Sequence, residues 1–261
     1  MQTARRKKYL KALGIETWTR RGGAAVVAEP GIRPAVGVAE PQRIPILPAG
    51  TVAAPAATPA PVVIQVTNAE AGASVPRDWM GLRDTVKNCR KCRLCETRTN
   101  TVFGVGPEQA PLMVVGEGPG ADEDAQGEPF VGRAGKLLDE MLKAIGRSRQ
   151  TDTFIANVVK CRPPGNRNPA EDEAEACRGY LEQQLRLVKP KLIVALGAVA
   201  AKLLLQTETP VGKLRGAMHV WGPDATPLMV TYHPAYLLRS PGEKAKSWDD
   251  LKKIHKFLNT A

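Results

Sequence analysis

The chain has 261 residues, a formal net charge of +11 and a sequence pI of about 9.6, enough for one good-sized domain plus appendages. The charge favours a polyanionic partner; no apolar run is long enough to span a bilayer. The basic start lacks the apolar core of a secretion signal, and five cysteines without one argue against a disulfide framework, so the expected setting is cytoplasmic.

In residues 1–21, Arg5, Arg6, Lys7, Lys8, Lys11, Arg20 and Arg21 are opposed only by Glu16. Tyr9, Leu10, Leu13 and Ile15 lie near one face of a short amphipathic helix, with Gly14 as its stop. Residues 22–76 are dominated by Ala, Pro, Val and Gly, with prolines recurring from Pro30 to Pro76. Such a stretch sustains neither helix nor sheet ladders and reads as an extended, disordered linker. The compact domain is expected over residues 77–261.

There the pattern changes to apolar runs alternating with helical stripes. Leu112–Val115, Phe154–Val159, Leu192–Leu196 and Leu228–Thr231 read as buried strands. Leu137, Leu138, Met141, Leu142 and Ile145 form a helical stripe between the first two. Asn168-Pro169 is a start signal for a helix carrying Cys177, Leu181 and Leu185. Gly197–Leu205 and a segment near Trp248–Leu258 complete the helices. The alternation predicts a three-layer α/β/α sandwich around a mostly parallel four-stranded sheet.

Ligands of such sheets bind beyond the carboxyl ends of the strands. Three groups fall there: the loop Gly116-Glu117-Gly118-Pro119-Gly120 after the first strand, Asn157 late in the second, and His233 after the fourth. The glycines allow backbone amides to approach a ligand closely, yet no Gly-Lys-Ser/Thr follows, so this is not a Walker loop. Leu237, Leu238 and Arg239 are expected on an exposed loop, with apolar groups able to wedge into a base stack and Arg239 able to meet phosphate. Arg162, Arg167, Lys213 and Arg215 are further phosphate candidates.

Cys89 and Cys92 form one pair, and Cys161 and Cys177 a second, the latter around Lys160-Cys161-Arg162-Pro163-Pro164. Two separated pairs point to a metal or iron–sulfur centre that clips distant parts of the domain together; zinc is an alternative occupant. Cys95 is left over.

The order GEGPG-x-x-E-D-x-x-G-x-P-F-V-G-x-A-G, then TFIANVVKCRPP, then HPAYLLR, resembles the family 4 uracil-DNA glycosylases over roughly Asn88 to Leu258. That resemblance implies a 4Fe-4S cluster on Cys89, Cys92, Cys161 and Cys177, Phe130 stacked on uracil, and Asn157 reading its edge. It also implies that His233 stabilises negative charge on the departing base, helped by backbone amides around Gly118. Many related glycosylases carry Asp or Asn at the motif position of Gly118. Its absence here leaves Glu117 as the nearest group to orient water, with Glu123 and Asp124 as rivals. The function implied is hydrolysis of the uracil N-glycosidic bond in DNA, by a nucleoid-associated monomer. The alternatives are a covalently trapping relative and a non-catalytic iron–sulfur DNA-binding module. Trapping relatives carry a histidine in a basic loop after the third cysteine, and Arg162–Glu171 holds none. Separately, Arg5-Arg6, Leu10, Leu13-Gly14-Ile15, Trp18 and Arg20-Arg21-Gly22 resemble the clamp-loader-binding peptide of the DNA polymerase III psi subunit. A tether to the clamp-loader collar through residues 5–22 is therefore expected.

Overall fold

The computed structural model describes residues 75–260; the amphipathic peptide and nearly all of the linker lie outside them. Five strands form one sheet: β1 Leu112–Gly116, β2 Thr153–Asn157, β3 Leu192–Leu196, β4 Met218–Trp221 and β5 Thr226–Thr231. Their order is β2-β1-β3-β5-β4, parallel except for the antiparallel β4–β5 pair. The sheet is thus one strand wider than the sequence pattern predicts. β4 has no fully buried residue, so it lacks the continuous apolar run that marks the other four strands.

The helices are α1 Trp79–Lys87, α2 Leu94–Thr97, α3 Ala121–Gln126, α4 Arg133–Ala144, α5 Glu171–Val188, α6 Gly197–Leu205, α7 Val211–Leu214, α8 Pro234–Arg239 and α9 Lys244–Thr260. Because strand side chains alternate between faces, the core divides in two. Met113, Val115, Phe154, Ala156, Ile193 and Ala195 pack with α1, α5 and α6. Leu112, Val114, Ile155, Leu192 and Val194 pack with α4, α8 and α9. This is the expected α/β/α sandwich. α5 begins at Glu171 rather than at Asn168-Pro169, because Ala170 is its N-cap and the Glu173 carboxylate accepts the Ala170 N–H at 2.8 Å. Among the described residues no helix is long and apolar enough to cross a membrane.

Candidate active site at the carboxyl edge of the sheet

The loop after β1, the end of β2, the segment after it, and the start of α8 enclose a cleft of about 500 Å³, within the range of small-ligand pockets. Glu117, Gly118, Glu123, Phe130, Asn157, His233 and Arg239 all line it. The sequence candidates at three strand exits are therefore brought to one place.

Phe130 sits at φ +57°, a left-handed conformation that is strained for a bulky residue, and it is buried. Two side chains hold it there. The Arg149 guanidinium donates to the carbonyls of Pro129 at 2.9 Å and Phe130 at 2.8 Å. The Glu123 carboxylate accepts the N–H groups of Val131 and Gly132, each at 3.0 Å, and of Gly120 at 3.1 Å. A β-carbon at Gly135 would collide with the Phe130 carbonyl, and one at Gly116 with the Phe130 ring and Asn157 Oδ1. Glycine at these two positions lets the ring lie against the strand ends. The Phe130 and His233 rings stand 5.5 Å apart.

Asn157 is 1% exposed and its amide oxygen has no hydrogen-bond partner. A buried acceptor left unmatched costs about 1–3 kcal/mol, and this exception among the described residues calls for a reason. The backbone carbonyl of Asn157, by contrast, accepts from Lys160 Nζ at 2.7 Å. That ammonium is fully buried, also donates to Gln184 Oε1 at 2.7 Å, and is pushed down to about 7 by burial, with Cys177 and Cys161 opposing.

His233 is the N-cap of α8, followed by proline at the first helical position. Its Nδ1 accepts the Ala235 N–H at 3.1 Å, which leaves the ring proton on Nε2. Burial pushes the imidazole down to about 4, Arg239 adds to the effect and Glu123 opposes it. The ring is a neutral donor at physiological pH. The Glu117 carboxyl is raised by burial, with Arg239 opposing.

Several sequence expectations change here. Glu123 is engaged by three backbone donors, which makes it the staple between the glycine loop and Phe130. Asp124 is neither solvated nor in the cleft: it is buried and accepts from Thr99 N at 2.9 Å and Asn100 N at 3.3 Å. Leu237, Leu238 and Arg239 lie on α8 rather than on a loop. Leu237 is 1% exposed inside the core, whereas Leu238 is 36% exposed; facing the sheet side of a helix is what buries Leu237. The His-Pro pair, an N-cap followed by Pro, was the available signal for that helix. Arg167 lines the cleft but forms a bidentate pair with Glu173 at 2.7 and 2.8 Å, and Arg215 is paired with buried Asp250 at 2.9 Å.

The cysteines gather on the other face. Cys161 and Cys177 are buried, and Cys89 and Cys92 pack against the same core cluster. Burial pushes Cys177 up to about 12, and raises Cys92 and Cys161. Arg98, which no local pattern singled out, donates from Nη1 to Cys161 Sγ at 3.0 Å and from Nη2 to the Cys89 carbonyl at 2.9 Å. Among the described residues no group of three or more His, Cys, Asp or Glu side chains is arranged to hold a single metal ion. All-sulfur donors, partly buried and met by a guanidinium, fit an iron–sulfur cluster in their chemistry.

A parallel sheet presenting a clamped aromatic ring, an unmatched buried amide and a neutral imidazole around one cleft is built to hold a flat polar ring away from water. The model of the uracil DNA glycosylase superfamily matches residues 103–252, and the chain belongs to that superfamily. A type-4 uracil-DNA glycosylase of Sulfurisphaera tokodaii is 43% identical over 185 residues, which covers 69% of this chain and 84% of the relative. Those of Archaeoglobus fulgidus and Thermotoga maritima are 45% and 42% identical, covering 65% and 67% of this chain and 87% and 92% of the relatives. Within the superfamily the chain falls with the type-4 uracil-DNA glycosylases, hydrolases that act on an N-glycosyl bond.

Proposed function

We propose that the cleft receives one uracil extruded from DNA and hydrolyses its N-glycosidic bond, leaving an abasic site. The observation that carries this reading is the unmatched Asn157 amide oxygen beside the clamped Phe130 ring. A carboxamide offers both a donor and an acceptor, so it satisfies a uracil edge and is satisfied by it. Phe130 stacks on the base. His233 donates its Nε2 proton toward negative charge on the departing ring, and the backbone amide of Gly118 adds a second donor. Glu117 orients the attacking water, and its charge supports the cationic sugar as the bond breaks. Glu123 acts on the reaction through the loop that it holds. Arg239 meets phosphate beside the cleft, and Leu238 is the member of the leucine pair placed to touch DNA.

Cys89, Cys92, Cys161 and Cys177 would hold a 4Fe-4S cluster, whose role would be structural. Holding it, these four cysteines would link the segment after α1, the segment after β2 and the middle of α5; Cys95 remains a free thiol. The protein acts as a monomer on nucleoid DNA. Residues 5–22 tether it to the clamp-loader collar through Trp18 and Leu13, a reading that rests on their sequence alone; Trp18→Ala should abolish recovery of clamp-loader subunits in a pull-down.

Alkali cleavage of a uracil-containing oligonucleotide tests the activity. Cluster-loaded wild-type protein should give strand breaks at uracil, and His233→Ala roughly 100-fold fewer per unit time. Intact strands after prolonged incubation with the wild type would overturn the reading in favour of a binding module.

A further inference from the structure

β2, the strand that ends in Asn157, lies at the edge of the sheet and has β1 on one side only. Residues two apart on a strand turn their backbone groups to the same side. The Val158 N–H points inward, to the Gly116 carbonyl at 3.0 Å. Ile155 points outward, where it exchanges both backbone bonds with Val105 at 2.7 and 2.9 Å. The Asn157 carbonyl, two residues on, faces outward as well, beyond the reach of that isolated bridge. A carbonyl buried at such an edge without a donor would be costly.

Lys160 stands there in place of a neighbouring strand. Its Nζ donates to the Asn157 carbonyl and to Gln184 Oε1, each at 2.7 Å, and Gln184 Nε2 donates onward to the Phe103 carbonyl at 2.8 Å. The Lys160 carbonyl accepts the Val102 N–H at 2.8 Å. Lys160 and Gln184 are 1% and 0% exposed, so water does not compete for these bonds. The peptide of Asn157 is thereby fastened to α5 and to the segment before β1. Its carboxamide oxygen has no partner of its own and packs over Gly116 beside Phe130. A side chain that short follows its backbone.

We infer that Lys160 is the positioning residue for Asn157: by standing in for a missing strand, it fixes the peptide from which the reading carboxamide projects. The inference rests on the uracil reading above. Lys160 does not line the cleft, so its influence passes through Asn157. A shift of about 1 Å in that peptide carries the amide with it, and displacements of that size cost up to about 100-fold in rate.

The test is single-turnover uracil excision by the cluster-loaded full chain in a double-substitution cycle, with iron content measured on each preparation. Lys160→Met should slow excision by about 10-fold when Asn157 is present, and by less than about 2-fold in the Asn157→Ala background, where no amide is left to misplace. Its iron content should equal that of the wild type. A lysine that merely supports the framework would cost the same in both backgrounds. That result, an unchanged rate in the single variant, or a loss of iron would overturn the inference. Gln184→Met removes the far anchor of the lysine and should show the same dependence on Asn157 at about 3-fold. It decides the matter if Lys160→Met does not fold, and an equal cost with and without Asn157 would overturn the inference there too. Asn157→Ala as fast as the wild type sinks the uracil reading itself, whereas a slow Asn157→Ala beside a normal Lys160→Met sinks only the positioning role.

Discussion

The carboxyl edge of the sheet and the cysteine corner behind it solve the same problem, holding distant segments in register, by different means. At the edge the chain supplies everything: Arg149 and Glu123 clamp the strained Phe130 peptide from both sides with five hydrogen bonds to backbone groups. At the corner the thiols pack on one core cluster with Arg98 bonded to Cys161 Sγ, and burial makes Cys92, Cys161 and Cys177 harder to ionise, most of all Cys177. The difference is that the cleft is held by ordinary polar bonds within the chain, while the cysteine corner, on the proposed reading, would be completed by an added positive centre.

The comparison breaks most visibly at the corner. Cys161→Ser should lose most of its iron and acid-labile sulfide and lower the melting temperature by roughly 5–10 °C, as expected for a few kcal/mol in a domain of this size. Full iron content with an unchanged melting temperature would make the corner an ordinary core. A smaller effect belongs to the edge. Arg149→Met removes the donors that hold Phe130, leaves two carbonyls unmatched, and should destabilise by about 1–3 kcal/mol. Excision should slow by about 10-fold with iron content intact, because a loosened ring no longer stacks in place; an unchanged rate would show that Phe130 needs no clamp.

The smallest effect is on pH dependence. His233 is lowered in the folded chain to about 4 from an ordinary 6.5. Between those values the unfolded chain binds more protons, so stability rises with pH through that window and is lost as pH falls toward 4. Glu117 is shifted the other way; on the proposed role its ionised form orients water. Excision by the wild type should therefore fall on the acid side as Glu117 protonates, and in Glu117→Gln the remaining acid limb should move down to about 4, where His233 titrates. An acid limb unmoved by that substitution would remove Glu117 from the water-handling role.

Much of this was legible before any coordinates. The four parallel strands are apolar runs because both faces of the sheet are covered, and their ends placed the glycine loop, Asn157 and His233 on one edge. What stayed hidden depends on contacts without a local pattern. Arg149 is nineteen residues from Phe130, and nothing in Arg-Ser-Arg-Gln foretells a guanidinium over two carbonyls. Arg98 is a similar case, meeting a sulfur 63 residues away. β4 lacks a buried face, and the orientation of Leu237 follows from where α8 packs. That Glu123 is held by three backbone donors was equally out of reach, since nothing in the sequence sets it apart from Glu117.

The central claim is that the chain tolerates a buried, unmatched acceptor at Asn157 in order to read one extruded pyrimidine. Measuring Asn157→Ala for single-turnover excision and for urea midpoint in one preparation tests it most directly. The account predicts excision about 100-fold slower with a midpoint no lower than that of the wild type, since the variant sheds an unsatisfied polar group. A midpoint that drops while excision is retained would contradict it, because Asn157 would then be part of the framework and not of the reader.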